Sequence, residues 1–244
     1  MKRQLLIPAL LLLFLPFAQG KVKLPAMMGD HMVLQQNSSV KLWGRADGKK
    51  VTITTSWNNR TYRTSTDKDG NWLVKVDTPA GGYTPYSITI SDGTPVTLSD
   101  ILIGEVWICS GQSNMEMRMM GNSAQPVDNS LETILNAGNY RDRIRFITVP
   151  RIKDIQKRTD FEEKKWEVSS PETTIDCSAT GYFFAKQLTQ SLNLPVGLVI
   201  NSWGGSAIEA WMDEQTLSTI EGMNIEAAKS PKRNVHQRLE CLYN

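Results

Sequence analysis

An apolar run from Ile101 to Cys109 stops abruptly at Ser110-Gly111-Gln112-Ser113-Asn114. A run of that length, rich in branched and aromatic residues, reads as a strand buried in a sheet. The small polar residues end the strand, and the Met- and Glu-rich segment after them opens a helix near Asn114. Ser113 is thereby expected at the carboxyl end of a strand and near a helix N-terminus. In open α/β sheets that end of a strand is where ligands bind. The serine's own N–H and the partial positive charge of the helix then face whatever the hydroxyl attacks. A serine so placed is a candidate nucleophile for acyl transfer, although the G-x-S-x-G elbow of the common α/β-hydrolases is absent. A plain core strand capped by a polar turn fits the same residues, and strand-turn-helix alone does not separate the two.

A second segment repeats the pattern. The short apolar strand Leu194 to Ile200 runs into Asn201-Ser202-Trp203-Gly204-Gly205-Ser206-Ala207-Ile208-Glu209-Ala210-Trp211. Glycines let backbone N–H groups approach a ligand closely. In an esterase such groups form an oxyanion hole. A phosphate loop needs G-x-G-x-x-G or G-x-x-x-x-G-K-[ST], and neither occurs here. A tight strand-helix turn without chemistry remains open at this point.

The two segments sit in a chain of changing pattern. Residues 21 to about 98 read as all-β, with short runs at Met32 to Leu34, Ser39 to Trp43, Lys50 to Thr55, Trp72 to Val76 and Tyr86 to Ile90. Turn signals such as Asp69-Gly70 and Asp92-Gly93 separate them. Strands at that spacing suggest a small sandwich. Trp43 and Trp72 lie inside strand patterns and are expected to be buried. From Ile101 strands alternate with helices: a strand at Ile144 to Val149, an amphipathic helix from Ser178 to Leu192, then the strand ending at Ile200. The helix takes Ser178 or Asp176 as its N-cap and turns Tyr182, Ala185, Leu188 and Leu192 to one face. Gly121 to Tyr140 and the charged Arg151 to Lys165 read as loops or solvated surface. The expected fold class is therefore α/β: a partial parallel sheet with helices at 99–244, preceded by a small all-β sandwich at 21–98.

Residues 1–20 carry the marks of a secretory signal peptide. Lys2 and Arg3 precede an apolar stretch from Leu5 to Phe17, and Ala18-Gln19-Gly20 is a small-x-small cleavage site. The expected location is secreted or periplasmic, with no membrane attachment after cleavage. The formal charge of +2 is accounted for by Lys2 and Arg3, so the rest of the chain is neutral and no nucleic-acid partner is indicated. Cys109, Cys177 and Cys241 lie too far apart for a disulfide framework, although one bridge is open. Without C-x-x-C or clustered histidines, no metal and no cofactor are expected.

The two bends carry a resemblance. Gly104 to Met117, GEVWICSGQSNMEM, resembles the first signature block of the sialate O-acetylesterase family within the SGNH-type esterases. N-S-W-G-G-S-x-I-E-A-W at 201–211 resembles that family's second block. The likeness implies that Ser113 is the nucleophile and that the N–H groups of Ser113 and Gly205 form the oxyanion hole, with Gly204 as the fallback. Gln112 and Asn114 are then expected to shape the loop by bonding backbone, and Glu209 and Trp211 to hold the glycine bend. The implied substrate is an acetyl ester on a sugar hydroxyl, typically O-acetylated sialic acid. Acetylated xylan and a non-catalytic glycan-binding role are alternatives.

A serine hydroxyl needs an adjacent base. The family's histidine lies in a D-x-x-H-type block and a third oxyanion group in a Q-G-E-S-N segment, and neither occurs in these 244 residues. His31 reads as a turn residue and His236 as part of a charged stretch. The expectation is a chain with low activity on its own and a sheet with an open edge.

Overall fold

The structure is a computed structural model that describes residues 22–152, 158, 160, 161 and 164–242. The segment 1–20, read from the sequence as a signal peptide, lies outside the described residues. Six strands come first: β1 (Val33–Gln35), β2 (Ser39–Arg45), β3 (Lys50–Thr55), β4 (Thr61–Ser65), β5 (Asn71–Asp77) and β6 (Gly82–Ser91). β4 has only Tyr62 facing the core and lies at the sheet edge, which is why it leaves no alternating apolar pattern in the sequence. β2 and β5 form a two-stranded antiparallel sheet. Their inward residues Leu42, Trp72 and Val76 share one core with Val51, Ile53, Ile88 and Ile90 of β3 and β6.

Trp43 departs from expectation, being 37% exposed while Trp72 is buried. Side chains alternate along a strand, and Leu42 already holds the inward position. Trp43 therefore joins Ser39, Lys41 and Arg45 on the outward row, opposite the exposed Leu73.

The 17-residue β7 (Pro95–Gly111) ties this part to the rest. Its first half pairs antiparallel with β6, and Leu102–Gly104 pairs with β1. Its second half, Glu105–Gly111, pairs parallel with β10 (Val196–Ser202), which in turn pairs parallel with β8 (Ile144–Thr148). The boundary read at 98/99 falls within this one strand. β9 (Glu167–Val168) closes the far edge, so the fold is α/β with one large mixed sheet. Among the described residues, no strand pairs with Glu105–Gly111 on the side away from β10. The apolar run is consequently buried at Ile101–Ile103 and at Cys109, but Ile108 is 75% exposed and Trp107 lies in the open against Phe184. An edge position, not the run's composition, decides that difference.

Few helices accompany the sheet: α1 (Ser113–Glu116), α2 (Ser130–Leu135), α3 (Pro171–Thr174), α4 (Ala179–Leu192), α5 (Glu214–Ser218) and α6 (Ile225–Lys229). α2 occupies part of the stretch read as loop; its six residues are too short to show a period. α4 starts at its N-cap Ser178, whose Oγ accepts from the Gly181 N–H, and ends at Asn193 in the left-handed region. Tyr182 and Ala185 pack with Phe146, Leu198 and Ile200, whereas Leu192, at the last turn, is exposed. Of the described helices, none is long and apolar enough to cross a membrane.

A charged cluster lies in the middle of β7, ahead of its parallel half. Arg145 of β8 is 1% exposed on its side chain, and its guanidinium donates to the Asp100 carboxylate at 2.9 Å and to the backbone carbonyls of His31 and Asp100. The other Asp100 oxygen meets His31 Nδ1 at 2.7 Å. Burial pushes the Asp100 carboxyl up, but the hydrogen bonds from His31 and Arg145 and the Arg145 charge outweigh it and hold it below its ordinary value.

Candidate active site

The three parallel strands end at one rim. Ser202 of β10 pairs with Gly111 of β7, and Ile200 pairs with Thr148 of β8. Chain leaving the sheet at these points turns into the Ser113 bend, the Gly204–Gly205 bend and the Val149–Arg151 segment. The Trp203 N–H donates to the Gly111 carbonyl at 2.9 Å, so the first two bends touch. A Cβ placed on Gly204 would lie 3.8 Å from the Ser113 Cα and 2.5 Å from Glu116 Oε2, so a side chain here would have to push the Glu116 carboxylate aside.

Gly111 bends the chain at φ 143° and Gln112 follows as the cap of α1. α1 is a single turn, too short for a helix dipole to matter, so any anion here is met by individual N–H groups. Ser113 is exposed, and among the described residues its N–H and hydroxyl have no protein partner. The side-chain amides of Gln112 and Asn114 are also exposed, and among the described residues they bond no backbone. The bend is held instead by main chain and by α4: the Glu116 N–H donates to the Gln112 carbonyl, Thr180 Oγ1 donates to the Asn114 carbonyl at 2.9 Å, and the Ala179 N–H donates to the Met117 carbonyl.

At the second bend Gly204 and Gly205 differ. The Gly204 N–H donates to Glu116 Oε2, while the Gly205 N–H donates to no protein acceptor among the described residues. Gly205 stands at φ 73°, in the left-handed region that glycine tolerates, and its carbonyl accepts from Gln237 Nε2 at 3.0 Å. Trp211 Nε1 donates to Ser206 Oγ at 2.9 Å, and Glu209 Oε1 pairs with Arg233 at 3.1 Å. Both contacts fasten the chain just after the bend.

Ser113, Glu116, Arg118, Arg151 and Ser202 line a polar cavity of about 550 Å³. Glu116 Oε1 pairs with Arg151, and Arg118 pairs with Asp176 at 3.0 Å. Cys109 lies buried beneath α4, and burial pushes its thiol up, as it does more strongly at Cys177; all three cysteines are free. These thiols are packing residues, far from the ionised form a nucleophile needs. Among the described residues no group of His, Cys, Asp and Glu is arranged to hold a metal.

Residues 103–235 match the family model of carbohydrate esterases described as sialic acid-specific acetylesterases. The chain belongs to that family. It is 30% identical over 206 residues to the mouse (Mus musculus) sialate O-acetylesterase, a match covering 77% of this chain and 37% of the relative. The human (Homo sapiens) sialate O-acetylesterase is 29% identical over 209 residues, covering 78% and 38%. The fold is similar to the crystal structure of a carbohydrate acetylesterase from Xanthomonas citri, with a TM-score of 0.76, 29% identity, and coverage of 92% of this chain and 47% of that one. The chain thus spans less than half the length of these relatives.

Two residues of this rim, Glu116 and Arg151, were not singled out from the sequence, and a third, His236, was read only as part of a charged stretch. Glu116 lies inside the first signature block but has no motif role of its own. Arg151 sits in a stretch read as solvated surface. His236 stacks on Trp203 with ring centroids 5.3 Å apart and planes within 3°, and a Cβ on Gly205 would lie 3.8 Å from its Nε2. His31, read as a turn residue, is in a turn at φ 67°, bonded to Asp100 rather than to the serine.

Proposed function

We propose that this chain carries its family's chemistry, the hydrolysis of acetyl esters on sugar hydroxyls, with O-acetylated sialic acid as the leading substrate. The observation that supports this best is the register of Ser202 against Gly111, which brings the Ser113 and Gly204–Gly205 bends to one rim; among the described residues neither the Ser113 hydroxyl nor the Gly205 N–H has a protein partner. In this reading Ser113 Oγ attacks the acetyl carbonyl carbon and gives its proton to a base. The oxyanion takes hydrogen bonds from the N–H groups of Ser113 and Gly205. The C–O bond to the sugar breaks, the sugar oxygen takes up the proton, and water then attacks the acetyl-serine to release acetate. Gly204 is not the second donor, because Glu116 already accepts its N–H. Glu209 and Trp211 fix the bend. Export on the 1–20 leader would bring the protein to secreted or periplasmic glycans.

Neither histidine of this sequence hydrogen-bonds Ser113 among the described residues. Serine and oxyanion donors without a base give only a remnant of the full acceleration, so the polypeptide alone is expected to be slow. Added imidazole is then expected to supply the missing base. The test is acetate release from O-acetylated sialic acid, acetylated xylan and an aryl acetate, with and without imidazole, in the wild type and in Ser113→Ala. The expected result is an imidazole-supported rate roughly a hundredfold above that of the variant. Equal imidazole-supported rates in the two proteins overturn the role of Ser113. A rate matching an intact esterase without imidazole overturns the low activity of the isolated chain.

A further inference from the structure

Next to the serine cavity is a second one of about 220 Å³, and the two share a wall of Val149, Arg151 and Ser202. Its other walls carry the rings of Trp43, Phe161, Trp203 and Trp211, set among aliphatic residues and the charged Arg158 and Asp160. Two of these rings are fixed in place. Trp203 has one face against His236, and Trp211 is tied through Nε1 to Ser206. Trp43 is different: it stands on the outward row of β2, and its indole N–H donates to no protein acceptor among the described residues. The ring therefore contributes little to the core and faces the cavity instead.

We infer that this cavity is a subsite for a second pyranose ring, so that the preferred substrate is an acetylated sugar still joined to a glycan. The inference rests on the reaction proposed at Ser113. A pyranose carries C–H groups on its faces and hydroxyls around its rim. Flat indole faces suit the first, and the polar groups of Asn201, Ser202 and Arg151 suit the second. Because the two cavities share lining residues they are adjacent, and a ring bonded directly to the acetylated sugar is the one placed to occupy the second. Substrate recognition is thereby shared between the strand pair β2–β5 and the serine rim.

Binding of two probe series to the 244-residue chain tests this. One series is N-acetylneuraminic acid against sialyllactose; the other is xylose against xylotriose, and the series that responds identifies the glycan. In the wild type, the longer probe of one series is expected to bind about tenfold more tightly than its single ring. Trp43→Ala should abolish that step and leave the single-ring affinity unchanged, while Trp43→Phe should keep part of it. Equal affinities for short and long probes in both series overturn the subsite. So does an unchanged step in Trp43→Ala, or an equal weakening of short and long probes. Ser113-dependent acetate release is measured in parallel. If it is present while binding shows no step, the subsite alone falls; if it is absent while the step persists, the reaction falls and the subsite stands.

Discussion

β7 carries two polar clusters, one at Asp100 and one beyond its carboxyl end at Ser113, and they treat polar groups in opposite ways. At Asp100 a carboxylate, an imidazole and a buried guanidinium satisfy one another, apart from the Arg145 Nε, which has no partner. At Ser113 a hydroxyl and its own N–H, with the Gly205 N–H of the other bend, have no protein partners among the described residues. The strand separates the two clusters by on the order of 30 Å. The His–Asp pair has the composition of catalytic machinery but sits away from the proposed nucleophile and already has its charge matched. Donors left open at the carboxyl rim of a parallel sheet are the better guide to chemistry than a familiar pairing of residue types.

Exchanging damage between the clusters breaks or sustains that contrast. The largest effect is expected from Ser113→Ala, which removes the imidazole-supported rate, a loss of about a hundredfold, while leaving the melting temperature unchanged. Asp100→Asn is expected to do the reverse. It leaves the Arg145 charge uncompensated, at a cost of about 2–3 kcal/mol, below the full range for a buried pair because Asp100 is about one-third exposed. Asparagine also tolerates the left-handed backbone at this position, where φ is 54°. The pH dependence follows from the lowered Asp100 value. A carboxyl held below its unfolded value of about 3.9 contributes stability that is fully present above that pH and is lost as pH falls through the folded value. Urea unfolding of Asp100→Asn and wild type should therefore converge as pH drops below about 4. A constant gap between them down to pH 2 would mean that the Asp100 charge is not what stabilises this cluster.

A smaller effect sharpens the account of the serine end. Glu116 ties the Gly204 N–H and Arg151 to α1, so it joins the ends of all three parallel strands. It touches neither the proposed oxyanion nor the attacking oxygen, and acts by keeping the Gly205 N–H aimed. Glu116→Ala is expected to lower kcat about tenfold with little change in KM, because misaligned donors cost transition-state stabilisation more than binding. A rise in KM at constant kcat would instead mark Glu116 as a substrate contact.

Much of this rim was legible from residue order, because each bend is local. Ser110 to Asn114 and Gly204-Gly205 announce themselves by following apolar strands, and Ser178 and Asn193 frame α4 as caps. What the sequence concealed depends on register between distant strands. Arg151 meets Glu116 only because β10 lies between β7 and β8 and aligns their ends. His236 meets Trp203 through chain that folds back after β10. Trp43 was misread for a different reason: an apolar residue inside a strand pattern has two faces to choose from, and its neighbour Leu42 took the inner one. The open edge at Trp107 and Ile108 was equally hidden, since composition records how apolar a strand is and not how many neighbours it has.

The smallest predicted effect asks whether the serine end borrows its rigidity from α4. Ser178 Oγ accepts from the Gly181 N–H at 3.1 Å and donates to Met115 Sδ at 3.4 Å, linking the first turn of α4 to the turn that carries Ser113. Alanine at 178 removes the cap and should cost about 1 kcal/mol, or a fall of about 2–4 °C in Tm for a chain of this size. Hydrogen exchange separates local from general damage. Amides of Met117 and Met119, which donate to the Ser113 and Cys177 carbonyls, should exchange faster in Ser178→Ala, while those of β3 and β6 should not. If protection at Met117 and Met119 is unchanged while Tm falls, the cap stabilises α4 alone and the serine bend is held by the end of β7 and the Gly204 contact.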